Sequence, residues 1–171
     1  MSWGVRENVV PKRCAEFIRG HLDHRRGYND YNLGGYLIWS LYDLDNPVFI
    51  DGRMHSVEGY PRLWDQVKSF LVLSPGMIDQ WNAAVKRWDV SYAVVELTPV
   101  RYYFHDQAVS VLAYRFPLSE WALVEQDSHA ALYLRRAAFS PVFLQRYEIA
   151  PPASDVDPGR AITKRPWREL F

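Results

Sequence analysis

Apolar positions along the chain alternate between stripes with a spacing of three or four and short unbroken runs, so helical and strand signals follow one another from end to end. Cys14, Phe17, Ile18 and Leu22 form one stripe and predict a helix over 11–22. Gly27 and Tyr28 then lead into a short strand or turn that ends at Asn29 and Asp30. The run Tyr36, Leu37, Ile38, Trp39, Leu41, Tyr42 fits a helix or a buried strand. We favour the helix, because the run covers two to three turns and Asn32 stands where a capping side chain would, with Gly34 and Gly35 in the first turn. Residues 47–51 are short, β-branched or aromatic, and bounded by Asn46-Pro47 and Asp51-Gly52, which predicts a buried strand ending in a turn.

Further along, Leu63, Trp64, Val67, Phe70 and Leu71 predict a helix over 60–73. Ser74-Pro75 then starts another, with Ser as cap and Pro at the first helical position. Its stripe is Met77, Ile78, Trp81, Ala84, Val85 and Trp88. The period changes after Asp89, and 90–97 reads as a strand buried on both faces. His105 or Asp106 would cap a helix carrying Ala108, Val111, Leu112 and Phe116. Segments 121–126 and 130–135 form a hairpin across Asp127-Ser128-His129. Ser140-Pro141 repeats the cap-plus-proline start for a last helix to about Tyr147.

This order predicts an α/β fold in a single domain over 11–150: a central mixed, mostly parallel sheet of about five strands, with helices on both faces and a C-terminal antiparallel hairpin. Right-handed crossovers make its first three strands parallel. Beyond Ala150, Pro151-Pro152, Asp157-Pro158-Gly159 and Arg165-Pro166 break every period. Residues 151–171 therefore read as a Pro-rich tail, extended or disordered, whose Trp167, Leu170 and Phe171 would be able to dock.

Charge narrows the partners. Twenty basic and twenty acidic residues cancel, which leaves no basic footprint for nucleic acid. Cys14 is the only cysteine, so no intrachain disulfide or paired-thiol motif is available, and its place on the apolar stripe makes it a small buried hydrophobe. No run of about 18 apolar residues marks a membrane span, and the polar start of the chain lacks a signal region. The chain as read is soluble.

Candidate chemistry gathers in 29–53. Asn29, Asp30 and Asn32 precede Gly34-Gly35, and Asp51, Gly52 and Arg53 close the next apolar run. Ligands of open α/β sheets bind beyond the carboxyl ends of strands, and both clusters fall at such ends. Backbone N–H groups at Gly34 and Gly35 would favour an anion, and Arg53 would pair with a phosphate or carboxylate. The structural alternative is that Asp and Asn bond to their own turns, that Gly52 serves a turn of positive φ, and that Asp30 or Asp51 pairs with Arg53. The Gly-Lys-Ser/Thr phosphate loop and the offset third Gly of a dinucleotide fingerprint are missing. No cofactor is indicated.

The histidines offer less. His21 and His24 are spaced for a helical metal pair, but no third ligand stands at a motif spacing, and a solvated surface is the better account of both. His55 lies near Asp51 and Arg53, within range of an acid–base role. No Gly-x-Ser-x-Gly elbow occurs, and Cys14 has no adjacent base, so no catalytic residue is assigned.

The run 29–39, followed by Val48-Phe49-Ile50-Asp51-Gly52-Arg53, resembles a soluble domain that follows the last membrane span of large bacterial polytopic membrane proteins. Those proteins are related to glycosyltransferases that take sugars from polyprenyl-phosphate carriers. The resemblance covers about 11–150, including a strand like 90–97 and a hairpin like 121–135. It implies a non-catalytic accessory domain outside the cytoplasm, since the catalytic acids of such transferases belong to membrane-side loops. Acceptor, glycan or the membrane portion of a parent protein would be its partner. Without the resemblance, the residues support a small cytoplasmic ligand-binding domain or enzyme using Asp30, Asp51 and Arg53, or a protein-interaction module.

Overall fold

A computed structural model describes residues 10–52, 65, 76–97, 101–104, 107–110, 112 and 115–149. Helix α1 (Lys12–His21) turns Cys14, Ala15 and Ile18 inward. Strand β1 (Gly27–Asn29) follows, then a single 3-10 turn (Tyr31–Leu33) that runs directly into helix α2 (Gly34–Leu41). Helix α3 (Met77–Arg87) precedes strand β2 (Tyr92–Glu96), and β3 (Arg101–Phe104) pairs with β4 (Gln107–Ser110) as a separate antiparallel ribbon. The hairpin β5 (Trp121–Gln126) and β6 (Ala130–Arg135) leads to helix α4 (Pro141–Tyr147). Ser140 caps α4 by accepting the Phe143 N–H at 3.2 Å, with Pro141 at its first position.

The main sheet has four strands in the order β1-β2-β6-β5 among the described residues. Only β1 and β2 are parallel; β6 runs antiparallel to both of its neighbours. The sheet is therefore mixed, and the expected five, mostly parallel strands are corrected. Strand periodicity divides its core in two. Tyr92, Val94, Leu132 and Leu134 pack with α1, α2 and Leu144 of α4 on one face. Tyr28, Ala93, Val95 and Tyr133 pack with Trp81 and Val85 of α3 on the other. Helices thus cover both faces, as expected.

Two expected elements differ. Residues 47–51 are not a strand: no ladder forms there, for a reason the candidate site makes plain. Residues 107–110, expected as the start of a helix, instead extend the β3–β4 ribbon, with Tyr103 opposite Ala108 and Tyr102 opposite Val109. Aromatic and β-branched side chains favour that pairing. Leu112 and Arg115 are helical, so only the end of the expected helix survives. The helix expected over 60–73 lies outside the described residues except for Asp65, which is helical. The Ser74-Pro75 start and the tail also lie outside them.

Cys14 is fully buried under α1. Burial pushes its thiol well above the ordinary range, and Asp127 and Glu125 push it the same way. A thiol held neutral and away from water does not attack disulfide reagents. The native protein is expected to leave an aromatic disulfide reagent unreacted, releasing one equivalent of chromophore only on addition of denaturant. Prompt release in native buffer would show that the α1 face opens.

Candidate functional site

β1 and β2 are parallel, so their carboxyl ends share a rim, where the chain beyond β1 enters the 3-10 turn and α2. Asn29 and Asp30 stand at that rim and are buried. The Asn29 amide donates to the Ile50 carbonyl at 2.8 Å and to the Asp30 carbonyl at 3.0 Å, while its Oδ1 accepts the Phe49 N–H at 2.8 Å. One side chain thus supplies both a donor and an acceptor to segment 49–50. That segment needs no strand partner, which is why an apolar run with strand composition stays irregular.

Asp30 works in the opposite direction, across the sheet. Its Oδ1 accepts the Tyr28 hydroxyl at 3.0 Å, and its Oδ2 accepts the Glu96 N–H at 2.9 Å, where β2 ends. Arg115 Nη1 lies 3.6 Å from Oδ1. The Tyr28 phenol is pushed up strongly, first by burial and then by the Asp30 carboxylate. It is a donor here and not a base.

The two glycines have different roles. A Cβ on Gly34 would meet the Ile50 carbonyl oxygen at 2.2 Å and Asp51 Cβ at 2.8 Å. A Cβ on Gly35 would meet nothing within 4 Å. Gly34 is needed for close approach of backbone to backbone, and its own φ of −57° is ordinary helix. Asp51 is buried beside it. Gly52 is exposed and not at positive φ, and the nearest contact of an added Cβ would be the Tyr31 hydroxyl at 3.5 Å, so the expected turn role is corrected. Asn32 does not cap α2. Its amide instead donates to Glu96 Oε2 at 3.3 Å. Arg53, His55 and His105 lie outside the described residues.

Of the predicted set, Asn29, Asp30, Gly34 and Asp51 come together, not as two strand ends but as one strand end clasping an irregular segment. Glu96, His129, Tyr28 and Arg115 were not singled out for this rim. His129 Nε2 stands 3.9 Å from Glu96 Oε1, and both side chains are partly exposed. Arg115 was legible in principle: it falls three residues after Leu112 and four after Val111, a cation on an apolar stripe.

His21 and His24 do not form a metal pair. His21 packs against Phe17 and Tyr147, with ring centroids 4.8 Å and 4.7 Å away. His24 lies beyond α1 at φ 59°, beside Asp23 and Asp45. Among the described residues no group of three or more His, Cys, Asp or Glu side chains is placed to hold a metal ion. No helix among them is long and apolar enough to cross a membrane.

At the opposite end of β2, Tyr92 is held by burial. Its phenol is pushed up to about 12, with the Asn46 hydrogen bond acting against the shift. A phenol raised in the folded state contributes stability that is complete below pH 10 and is lost as pH rises toward 12, because the unfolded chain ionises first. At about 1.4 kcal/mol per unit, the loss from this group is roughly 2–3 kcal/mol. Urea unfolding at pH 9 through 12 is expected to show that decline, and Tyr92→Phe to reduce it. An unchanged slope in Tyr92→Phe would assign the decline to other groups.

Comparison with protein-family models, curated proteins and solved structures finds no match to this chain.

Proposed function

We propose that the chain is a non-catalytic accessory domain of a membrane protein related to lipid-linked sugar transferases, placed outside the cytoplasm. Its role is to contact acceptor, glycan or the membrane portion of its parent. The observation that carries this reading is the commitment of Asn29 and Asp30: their side-chain atoms bind backbone, Tyr28 and Arg115 inside the fold. Asn29 and Asp30, so engaged, set a shape and are not free to serve as base or nucleophile. Trp39 and Tyr42, exposed on and just after α2, offer contact area of the amphipathic kind that interfaces favour. The test is fractionation of the native gene product with surface labelling. Recovery with membranes and modification by an impermeant reagent are expected, and recovery in the cytosolic supernatant would refute the reading.

A second reading, a ligand-binding domain or enzyme using polar groups at the strand ends, is favoured by one arrangement. Asn32, Glu96 and His129 bring an amide, a carboxylate and an imidazole together at the rim with water access. Ligand screening by amide chemical shifts tests it. Perturbations centred on these residues, and lost in a Glu96→Gln variant, would favour it over the accessory role.

A further inference from the structure

Arg115 is buried to 1% exposure on the α3 face of the sheet, and the functional readings above use only its approach to Asp30. Its guanidinium carbon lies 4.8 Å from the Trp81 ring centroid, 5.1 Å from Tyr28 and 5.2 Å from Phe116. Its carbonyl accepts the Trp81 indole N–H at 2.8 Å. Rings hold the group in place and a hydrogen bond pins its backbone, so its orientation is set before any ligand arrives. Nη1 faces Asp30 at 3.6 Å, too long for a strong bond, and that carboxylate is already served by Tyr28 and the Glu96 N–H. Nε and Nη2 are buried and have no hydrogen-bond partner among the described residues.

Those two nitrogens belong to the same edge of the planar group, the edge whose parallel N–H bonds match the two oxygens of an oxyanion. Unsatisfied donors on a buried cation are costly, and native folds rarely keep them without use. We propose that this edge of Arg115 is a binding site for a monocarboxylate with an apolar body. The aromatic surroundings suit the body. Asp30 already balances the Arg115 charge, so every negative charge brought to this edge is uncompensated, and a monocarboxylate brings one where a phosphate dianion brings two. The proposal goes beyond the accessory role and does not depend on it.

The experiment is a titration of the full ¹⁵N-labelled chain with butyrate, benzoate and inorganic phosphate at constant ionic strength, following the Arg115 Nε–H resonance. A saturable shift with the carboxylates, and none with phosphate, is expected. Arg115→Lys keeps the charge but loses the paired edge, and should bind about tenfold more weakly as read from backbone amide shifts. No saturable shift with either carboxylate, a shift with phosphate alone, or equal affinity in Arg115→Lys would overturn the proposal. If Arg115→Lys does not fold, the titration of the unmodified chain still decides.

Discussion

Asp30→Ala is expected to destabilise the protein by roughly 3–5 kcal/mol, the usual cost of removing one partner from a buried ionic pair. That is a large share of the roughly 5–15 kcal/mol that holds a domain folded. The loss has three parts. Arg115 keeps a charge in an aromatic environment with its counter-charge gone. The Tyr28 hydroxyl and the Glu96 N–H lose their acceptor. The attraction across 3.6 Å is the smaller part, since the desolvation of Arg115 remains after the mutation. Urea denaturation with Arg115→Met and the double variant separates these parts. Arg115→Met removes the stranded charge, so the double variant should cost at least about 1 kcal/mol less than the sum of the two singles. If Asp30→Ala costs less than about 1 kcal/mol, Asp30 does not organise the rim and the accessory-domain reading loses its support.

The sequence made the regular parts of this fold legible and the rim only in outline. α1, α3, β2, the β5–β6 hairpin and the cap of α4 follow from stripe, alternation and Ser-Pro, all of which are local signals. Segment 47–51 was misread because its composition is that of a strand, while its hydrogen bonds come from the side chain of a residue about twenty positions earlier. No pattern within the segment can show that. The ribbon β3–β4 was misread because Ala108, Val111, Leu112 and Phe116 fit a helical period, while pairing with Arg101–Phe104 decides the start of the segment. At the rim, residue types pointed to Asn29, Asp30 and Asp51. Chemistry alone did not reveal that Asp30 reaches the far strand end and Arg115, because those contacts span 66 and 85 positions.

The double glycine gives the sharper test, because composition treats Gly34 and Gly35 alike and the structure does not. Gly34→Ala is expected to cost about 3 kcal/mol or more, at the upper end of overpacking effects. The new methyl carbon would lie 2.2 Å from the Ile50 carbonyl oxygen and 3.0 Å from Asp51 Cα. These are backbone atoms, so no side-chain rotation relieves the clash. Segment 49–51 must move off α2, and it is tied to Asn29 by bonds at both Phe49 and Ile50. Strain at one glycine therefore reaches the end of β1. Gly35→Ala, one residue on, meets open space and replaces a helical glycine. It should stabilise by roughly 0.5–1 kcal/mol, because alanine loses less backbone freedom on folding. Opposite signs at adjacent positions, measured by thermal and urea unfolding, would establish that the pair serves backbone contact at Gly34. Similar small effects at both would mean that segment 49–51 does not press on α2, and would return the pair to its first reading as a helix start open to an anion.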